Sequence, residues 1–410
     1  MSCPTRDLAH AKAEKARVLM LQGPSNLFFR DLGCALMARG AKVHRIGFCP
    51  GDHLYWRRDA GEITPCSASK SAYAAWIGSF LDRFRPSDIV MLGDGRFYHR
   101  ETLDVVRQMA PQPRIHIVEQ GLIRPGWILI ENDGMGKRSR IPERFQTAPR
   151  MDAPPTIPAP AAPFLRYAAL DIGYHVPGML VGWLYNSDYQ HPALVSQWVE
   201  YAGWVKKALT RGGSVRSDRT KMSMLENISG PRFLFPLQLE TDYQIREHSK
   251  GKSLEDHMED MLKSFAAFAP SDAHVIVKRH PLDNGWAPWR KRVVKLAQDI
   301  GIKGRVHYLD RGDLKRLLDL SVGVITVNSS VGLQAVLEGC PCVTLGNAVY
   351  DIKGLTAPSL DTFWASPEKP DHETSERFRA FLLTEYHVPG SFDGQGALLG
   401  ANALAKRIIS

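Results

Sequence analysis

The residues of this chain best placed to do chemistry stand where an apolar, β-rich run stops and a helical pattern begins. In the second half these are Gln238, followed by Asp242 and Gln244, then Lys278-Arg279-His280-Pro281, and then Asn328-Ser329-Ser330. The first half contributes Gln22-Gly23-Pro24, Gly93-Asp94-Gly95-Arg96 and Glu119-Gln120-Gly121. The later set is rich in cations, amides and hydroxyls, and the earlier one carries carboxylates. Groups of the first kind hold a phosphate and help it depart, while a carboxylate acts at the carbon it leaves. The pattern suits transfer chemistry on a nucleotide sugar.

Ser329-Ser330 lies at the hinge of the most informative stretch. Val322 to Val327 reads as a buried strand, and Leu333, Val336 and Leu337 then recur at helical spacing. Hydroxyls and free amides at a helix start favour an anion, although a serine pair there also serves as a plain N-cap. A histidine before proline is ordinary by itself; His280 gains meaning from the serine pair downstream. Gly339 suits the end of that helix, and Pro341 to Gly346 the next strand.

These corners need a scaffold of parallel strands, whose carboxyl ends line a ligand crevice. The strand at Arg17, the helix Asn26 to Arg39 and the strand at Lys42 make a βαβ opening. Further strands at Asp88–Leu92 and Arg114–Val118 alternate with helices at Tyr73–Phe84 and Glu101–Met109. Gln22-Gly23-Pro24 lacks the G-x-G-x-x-G spacing, so no nicotinamide cofactor is expected. A second series runs through Arg232–Pro236, Ala273–Lys278, Val306–Leu309 and Val322–Val327. The proline-rich residues 149–163 separate the two series, and an aromatic segment, Phe164 to Leu209, follows. Its aromatic side chains are expected to pack between helices or to face a lipid or acceptor. Arg211 to Ser229 reads as a polar, basic, mobile loop. The expected fold is α/β and GT-B-like, with two Rossmann-like domains facing a central cleft. The boundaries are 1–148, 149–230 and 231–410.

The composition is that of a soluble globular protein, with 44% hydrophobic and 23% charged residues. No apolar run reaches the roughly 20 residues of a membrane span, and the N-terminus lacks a secretory core, which predicts a cytoplasmic location. Six cysteines without regular spacing predict neither a disulfide framework nor a zinc site. The formal charge of +9 favours an anionic partner, either a nucleotide substrate or an anionic membrane surface. Nucleic acid is excluded for want of any recognition motif. No D-x-D signature suggests a metal.

Five stretches in fixed order then become recognisable: GDGRFYHRE at Gly93–Glu101, EQGLIRPGWILIE at Glu119–Glu131, PLQLETDYQIREHS at Pro236–Ser249, KRHPLDNG at Lys278–Gly285 and VNSSVGLQAVLEG at Val327–Gly339. With them the chain resembles the capsule polysaccharide biosynthesis family, in particular its KpsS-type β-Kdo transferases. The resemblance implies a retaining GT-B glycosyltransferase that uses CMP-Kdo as donor substrate and a phosphatidylglycerol-type lipid at the inner membrane as acceptor. Peripheral membrane association and contact with other capsule proteins are expected on the same ground. It places Lys278, His280, Pro281, Asn328, Ser329, Ser330, Gln238 and Gln244 around CMP, with His280 helping the phosphate leave. Glu119 and Asp94 are the candidate catalytic carboxylates, and Gln22, Gly23, Arg96, Gln120 and Arg124 are expected elsewhere in the cleft. One departure stands out. The family's corner carries two acids before glycine, and here the second is Gln120. Either Glu119 or Asp94 takes the role, or activity is altered. The competing readings are a non-catalytic assembly or export factor and a transferase for another CMP-nonulosonic acid.

Overall fold

A computed structural model describes residues 16–132, 134–155, 164–185, 188–191, 197–209, 211–240 and 249–410. Its first sheet is built from β1 (Arg17–Met20), β2 (Lys42–Gly47), β3 (Glu62–Pro65), β4 (Asp88–Leu92), β5 (Arg114–Gln120) and β6 (Trp127–Glu131). The second uses β7 (Arg232–Pro236), β8 (His274–Lys278), β9 (Val306–Leu309), β10 (Gly323–Thr326) and β11 (Cys342–Thr344). A last strand, β12 (His387–Pro389), returns to the first sheet. The helices of the first half are α1 (Phe28–Ala38), α2 (Pro50–Leu54), α3 (Tyr73–Phe84), α4 (Phe97–Val106) and α5 (Ile141–Thr147). Then come α6 (Phe164–Tyr185), α7 (Gln197–Leu209) and α8 (Arg211–Asn227). The second half adds α9 (Leu254–Phe268), α10 (Trp289–Asp299), α11 (Leu314–Asp319) and α12 (Ser330–Leu337). The chain ends with α13 (Leu360–Phe363), α14 (His372–Phe381) and α15 (Ala397–Ile409).

The first sheet has the order β12-β6-β5-β4-β1-β2-β3 and the second β11-β10-β7-β8-β9. Within each half the parallel strands, counted in chain order, run 3-2-1-4-5, the doubly wound arrangement. Its central strands are largely apolar because helices cover both faces: β1, β4, β7 and β10 are buried almost residue for residue. Where the strand order reverses, a crevice opens, between β1 and β4 in one sheet and between β7 and β10 in the other. The corners after β1, β4, β7 and β10 flank these reversals, and those after β5 and β8 lie one strand away. The mixed α/β fold with two parallel sheets is the expected one.

Two expectations change. Residues 231–410 do not stay in one domain: β12 pairs antiparallel with β6 through Val388 and Ile128. Helix α15 then buries Ala401, Leu404, Ala405 and Ile408 in a cluster with Phe28, Leu32 and Leu36 of α1. The C-terminal segment thus completes the first domain's core. Arg211–Asn227 is a helix, α8, rather than a loop. Met222 and Leu225, three residues apart, are buried and give it an apolar seam, while Lys, Met, Leu and Glu are good helix formers. Of the proline-rich run, 156–163 lies outside the described residues.

The segment α6–α7 decides which crevice stays open. Tyr174, buried on α6, donates to Asp52 Oδ1 at 2.8 Å, and Asp52 also pairs with buried Arg45. Tyr55 donates to the Leu170 carbonyl at 2.7 Å. These bonds seat α6 over the ends of β1 and β2. Its opposite face carries Leu165, Ile172, Leu180 and Trp183, all exposed, at positions that align on one side of a helix. No helix among the described residues is long and apolar enough to cross a membrane.

Candidate functional site

The two domains enclose a cavity of about 600 Å³ lined from both sides. The first domain supplies Asp94, Arg96, Glu119, Gln120 and Arg124, and the second Gln238, His280, Asn328, Ser329 and Ser330. Four expected residues do not line it. Gln22 is buried and donates to the Tyr189 hydroxyl at 2.6 Å, turned toward the α6 segment. A Cβ on Gly23 would lie 2.4 Å from the Phe29 ring, so this glycine serves packing, and its carbonyl accepts from Arg96. Lys278 is buried beneath the corner, and Pro281 offers its carbonyl to Lys207 at 2.7 Å. Asp242 and Gln244 lie outside the described residues.

On the second domain's wall, the strand reversal is locked by a reciprocal amide pair. Gln238 Nε2 donates to Asn328 Oδ1 at 2.9 Å, and the Asn328 N–H donates to Gln238 Oε1 at 3.2 Å. Ser329 is the N-cap of α12 and accepts from the Val331 N–H at 3.2 Å, so its hydroxyl performs the ordinary capping role. Tyr350 fixes the Ser329 carbonyl at 2.5 Å. Ser330, the first helical residue, keeps its hydroxyl without a partner among the described residues and lines the cavity. The helix start and this hydroxyl together can accept a phosphate.

His280 is held in a defined tautomer. Its Nδ1 accepts from the Leu282 N–H at 3.1 Å, so the ring proton sits on Nε2. Burial, then Lys278, Arg124 and Lys207, bring its pKa down to about 4. The neutral ring therefore meets a phosphate as an N–H donor. Arg124 of the first domain and His280 of the second line the same cavity.

Among the carboxylates, Asp94 is committed to structure. It is buried, accepts from the Met135 N–H at 3.1 Å and pairs with Arg138 at 3.2 Å. It does not cap α4, whose N-cap is Arg96. Glu119 stands at the end of β5, where its Oε1 accepts from the Gln120 N–H at 3.0 Å. Gln120 beside it is exposed. Gly121 must be glycine, since a Cβ there would lie 2.4 Å from the Trp127 carbonyl. Residues missed by sequence reasoning also line the cavity: Glu131, Glu200, Asp283, Trp286 and Tyr350. Glu131 and Asp283 stand inside the recognised stretches and Trp286 directly follows one, so these were open to being read; Glu200, on α7, carries no local signal. Among the described residues no three His, Cys, Asp or Glu side chains converge to hold a metal.

Two further histidines hold the cleft loops. His99 Nδ1 donates to the Gly93 carbonyl at 2.7 Å. His387 donates from Nδ1 to the Leu382 carbonyl at 2.7 Å and accepts the Leu122 N–H on Nε2 at 3.1 Å. Burial lowers them to about 3 and about 4 respectively. Both stay neutral when folded but take up a proton near 6.5 when unfolded. Their contribution to stability is full above pH 6.5 and is lost as pH falls toward 4. Between pH 7.5 and 5 the two together remove on the order of 4 kcal/mol. Calorimetry should show Tm falling by several degrees over that interval, less steeply in His99→Gln. A flat Tm would contradict neutral burial.

Residues 87–392 match the family described as capsule polysaccharide biosynthesis protein. The chain is 29% identical to the capsule polysaccharide export protein KpsS of Escherichia coli, over 91% of this chain and 95% of that one. It is 28% identical to the capsule polysaccharide modification protein LipB of Neisseria meningitidis serogroup B, over 92% of each. Similar solved structures include the Thermosulfurimonas dismutans KpsC beta Kdo 2,7 transferase. That match has 12% identity, covers 95% of this chain and 99% of the other, and has a TM-score of 0.48.

Proposed function

Since the chain belongs to the capsule polysaccharide biosynthesis protein family, we propose that it is a retaining glycosyltransferase moving Kdo from CMP-Kdo to a phosphatidylglycerol-type lipid. The observation that carries the transferase reading is one cavity with Glu119 on one wall and His280 with Ser330 on the other. The sugar and the acceptor rest on the likeness of the five stretches to the KpsS-type transferases. In this reading the CMP phosphate sits at the start of α12, with the Ser330 hydroxyl and His280 Nε2–H donating to it. The buried charge of Lys278 lies behind, so no metal is required to hold the anion. A carboxylate attacks the anomeric carbon as CMP departs, and Glu119 is the one assigned, because Asp94 is held by Arg138 and Met135.

The lipid acceptor places the protein at a membrane surface, and the exposed apolar side of α6 supports that placement. Aliphatic residues and Trp183 on one side of a helix suit the headgroup boundary. The +9 charge adds attraction to anionic lipid. The test is transfer from CMP-Kdo to a lysophosphatidylglycerol acceptor in anionic vesicles. The expected result is a Kdo-lipid product, with vesicle cosedimentation that weakens steeply as salt rises. Folded, CMP-binding protein that transfers neither Kdo nor another CMP-linked nonulosonic acid overturns the enzyme reading. Gln120 favours that second reading, a capsule assembly or export factor that retains the cleft; a different donor would change the sugar alone.

A further inference from the structure

The cavity contains a carboxylate that the reaction scheme has not used. Asp94 is held by Arg138, Glu131 accepts from Ser139, Glu240 pairs with Arg292, and Asp283 accepts from the Gly285 N–H. Glu200 lines the same cavity yet makes no hydrogen bond or ion pair with another described residue. Its place is set by α7. Glu200, Gly203 and Lys207 share one face at i, i+3 and i+7. Lys207 Nζ donates to the carbonyls of Pro281 and Asp283, each at 2.7 Å. A Cβ on Gly203 would touch Asn284 at 3.0 Å, so the helix lies tight against the loop that carries His280. The third residue of that face, Glu200, stands two turns before Lys207 and lines the same cavity as His280 and Glu119.

We propose that Glu200 is the general base for the acceptor, the role a second carboxylate must fill once Glu119 serves as nucleophile. This rests on the transferase reading above. In the first step the Glu119 oxygen bonds to the anomeric carbon while the carbon–oxygen bond to phosphate breaks, and CMP leaves with the electron pair. In the second, the acceptor hydroxyl oxygen bonds to that carbon and the Glu119 ester breaks. The hydroxyl proton passes to the Glu200 carboxylate and then to solvent. Atoms and charge balance without any co-reactant. Burial and the neighbouring Asp171 raise the Glu200 carboxyl above its ordinary value, against a smaller opposing effect of His175. A carboxylate so raised is a stronger base.

The experiment compares wild type, Glu200→Gln and Glu200→Asp in CMP release, lipid transfer and intact-protein mass after mixing with CMP-Kdo. Glu200→Gln is expected to keep its Tm and CMP affinity and to lose transfer by about 100-fold or more. It should also release one equivalent of CMP in a burst and carry a Kdo-sized adduct. Glu200→Asp should fall between the two. Transfer by Glu200→Gln within threefold of wild type overturns the proposal, as does lost transfer without burst and adduct. Wild type that neither releases CMP nor transfers from any donor overturns the transferase reading itself, and the Glu200 role with it.

Discussion

Glu119→Gln should abolish transfer while leaving CMP affinity and Tm close to wild type. The side chain stands at the end of β5 with its carboxylate held by a neighbouring backbone N–H, a bond the amide oxygen of glutamine can also accept. The substitution preserves shape and removes the charge, and an amide forms no glycosyl ester. A loss of about 1,000-fold or more is the scale expected when a covalent nucleophile is removed. Asp94→Asn supplies the contrast. It leaves Arg138 without its carboxylate at a buried position, so the cost falls on stability, of the order of 1–3 kcal/mol for a half-exposed partner. If Asp94→Asn kills transfer with unchanged Tm and Glu119→Gln does not, the two assignments are reversed.

His280→Ala should damage donor handling in a different way. The neutral ring offers one N–H, from Nε2, because Leu282 occupies Nδ1. Removing it takes away a donor to the departing phosphate, whose charge grows as the bond breaks. Transfer should drop by about 100- to 1,000-fold, the scale seen when one such donor is removed from a preorganised site. CMP affinity, measured by calorimetry, should fall less, by about tenfold, the equivalent of one charge-assisted hydrogen bond. Equal losses in both would mean that His280 binds the ground state and transition state alike, which would remove it from the leaving-group role.

Several of the site's parts were legible in the sequence because they depend on local pattern. Asn328-Ser329-Ser330 sits between an apolar run and a helical one, and the structure has β10 ending and α12 starting there. Gly339 follows α12 with φ of +76°, as a helix-ending glycine should. Helix α3 spans Tyr73–Phe84 and strand β9 Val306–Leu309, as their periodicity predicts. Other features could not be read this way. Arg211 to Ser229 looked loop-like because it is polar and basic, whereas residues 211–227 form α8 and the buried pair Met222 and Leu225 shows only in the packed structure.

What the sequence by itself determined was the pair of doubly wound halves, the strand-end corners and the resemblance to a capsule family. Each follows from residues adjacent in the chain. What only the tertiary structure decided was which polar groups reach the cavity. Gln22 and Gly23 have the same strand-end pattern as Glu119, yet α6 packs over their crevice and Tyr189 takes the amide. Asp94 looks as catalytic as Glu119 until Arg138 folds onto it. Glu200 looks like one more helix surface residue until Lys207 fastens α7 to the His280 loop. Strand β12 and α15 likewise belong to the first domain only because β6 leaves it an open edge to pair with. Strand ends and helix starts are written in local periodicity, but cleft exposure depends on what packs across it from residues far away in the chain.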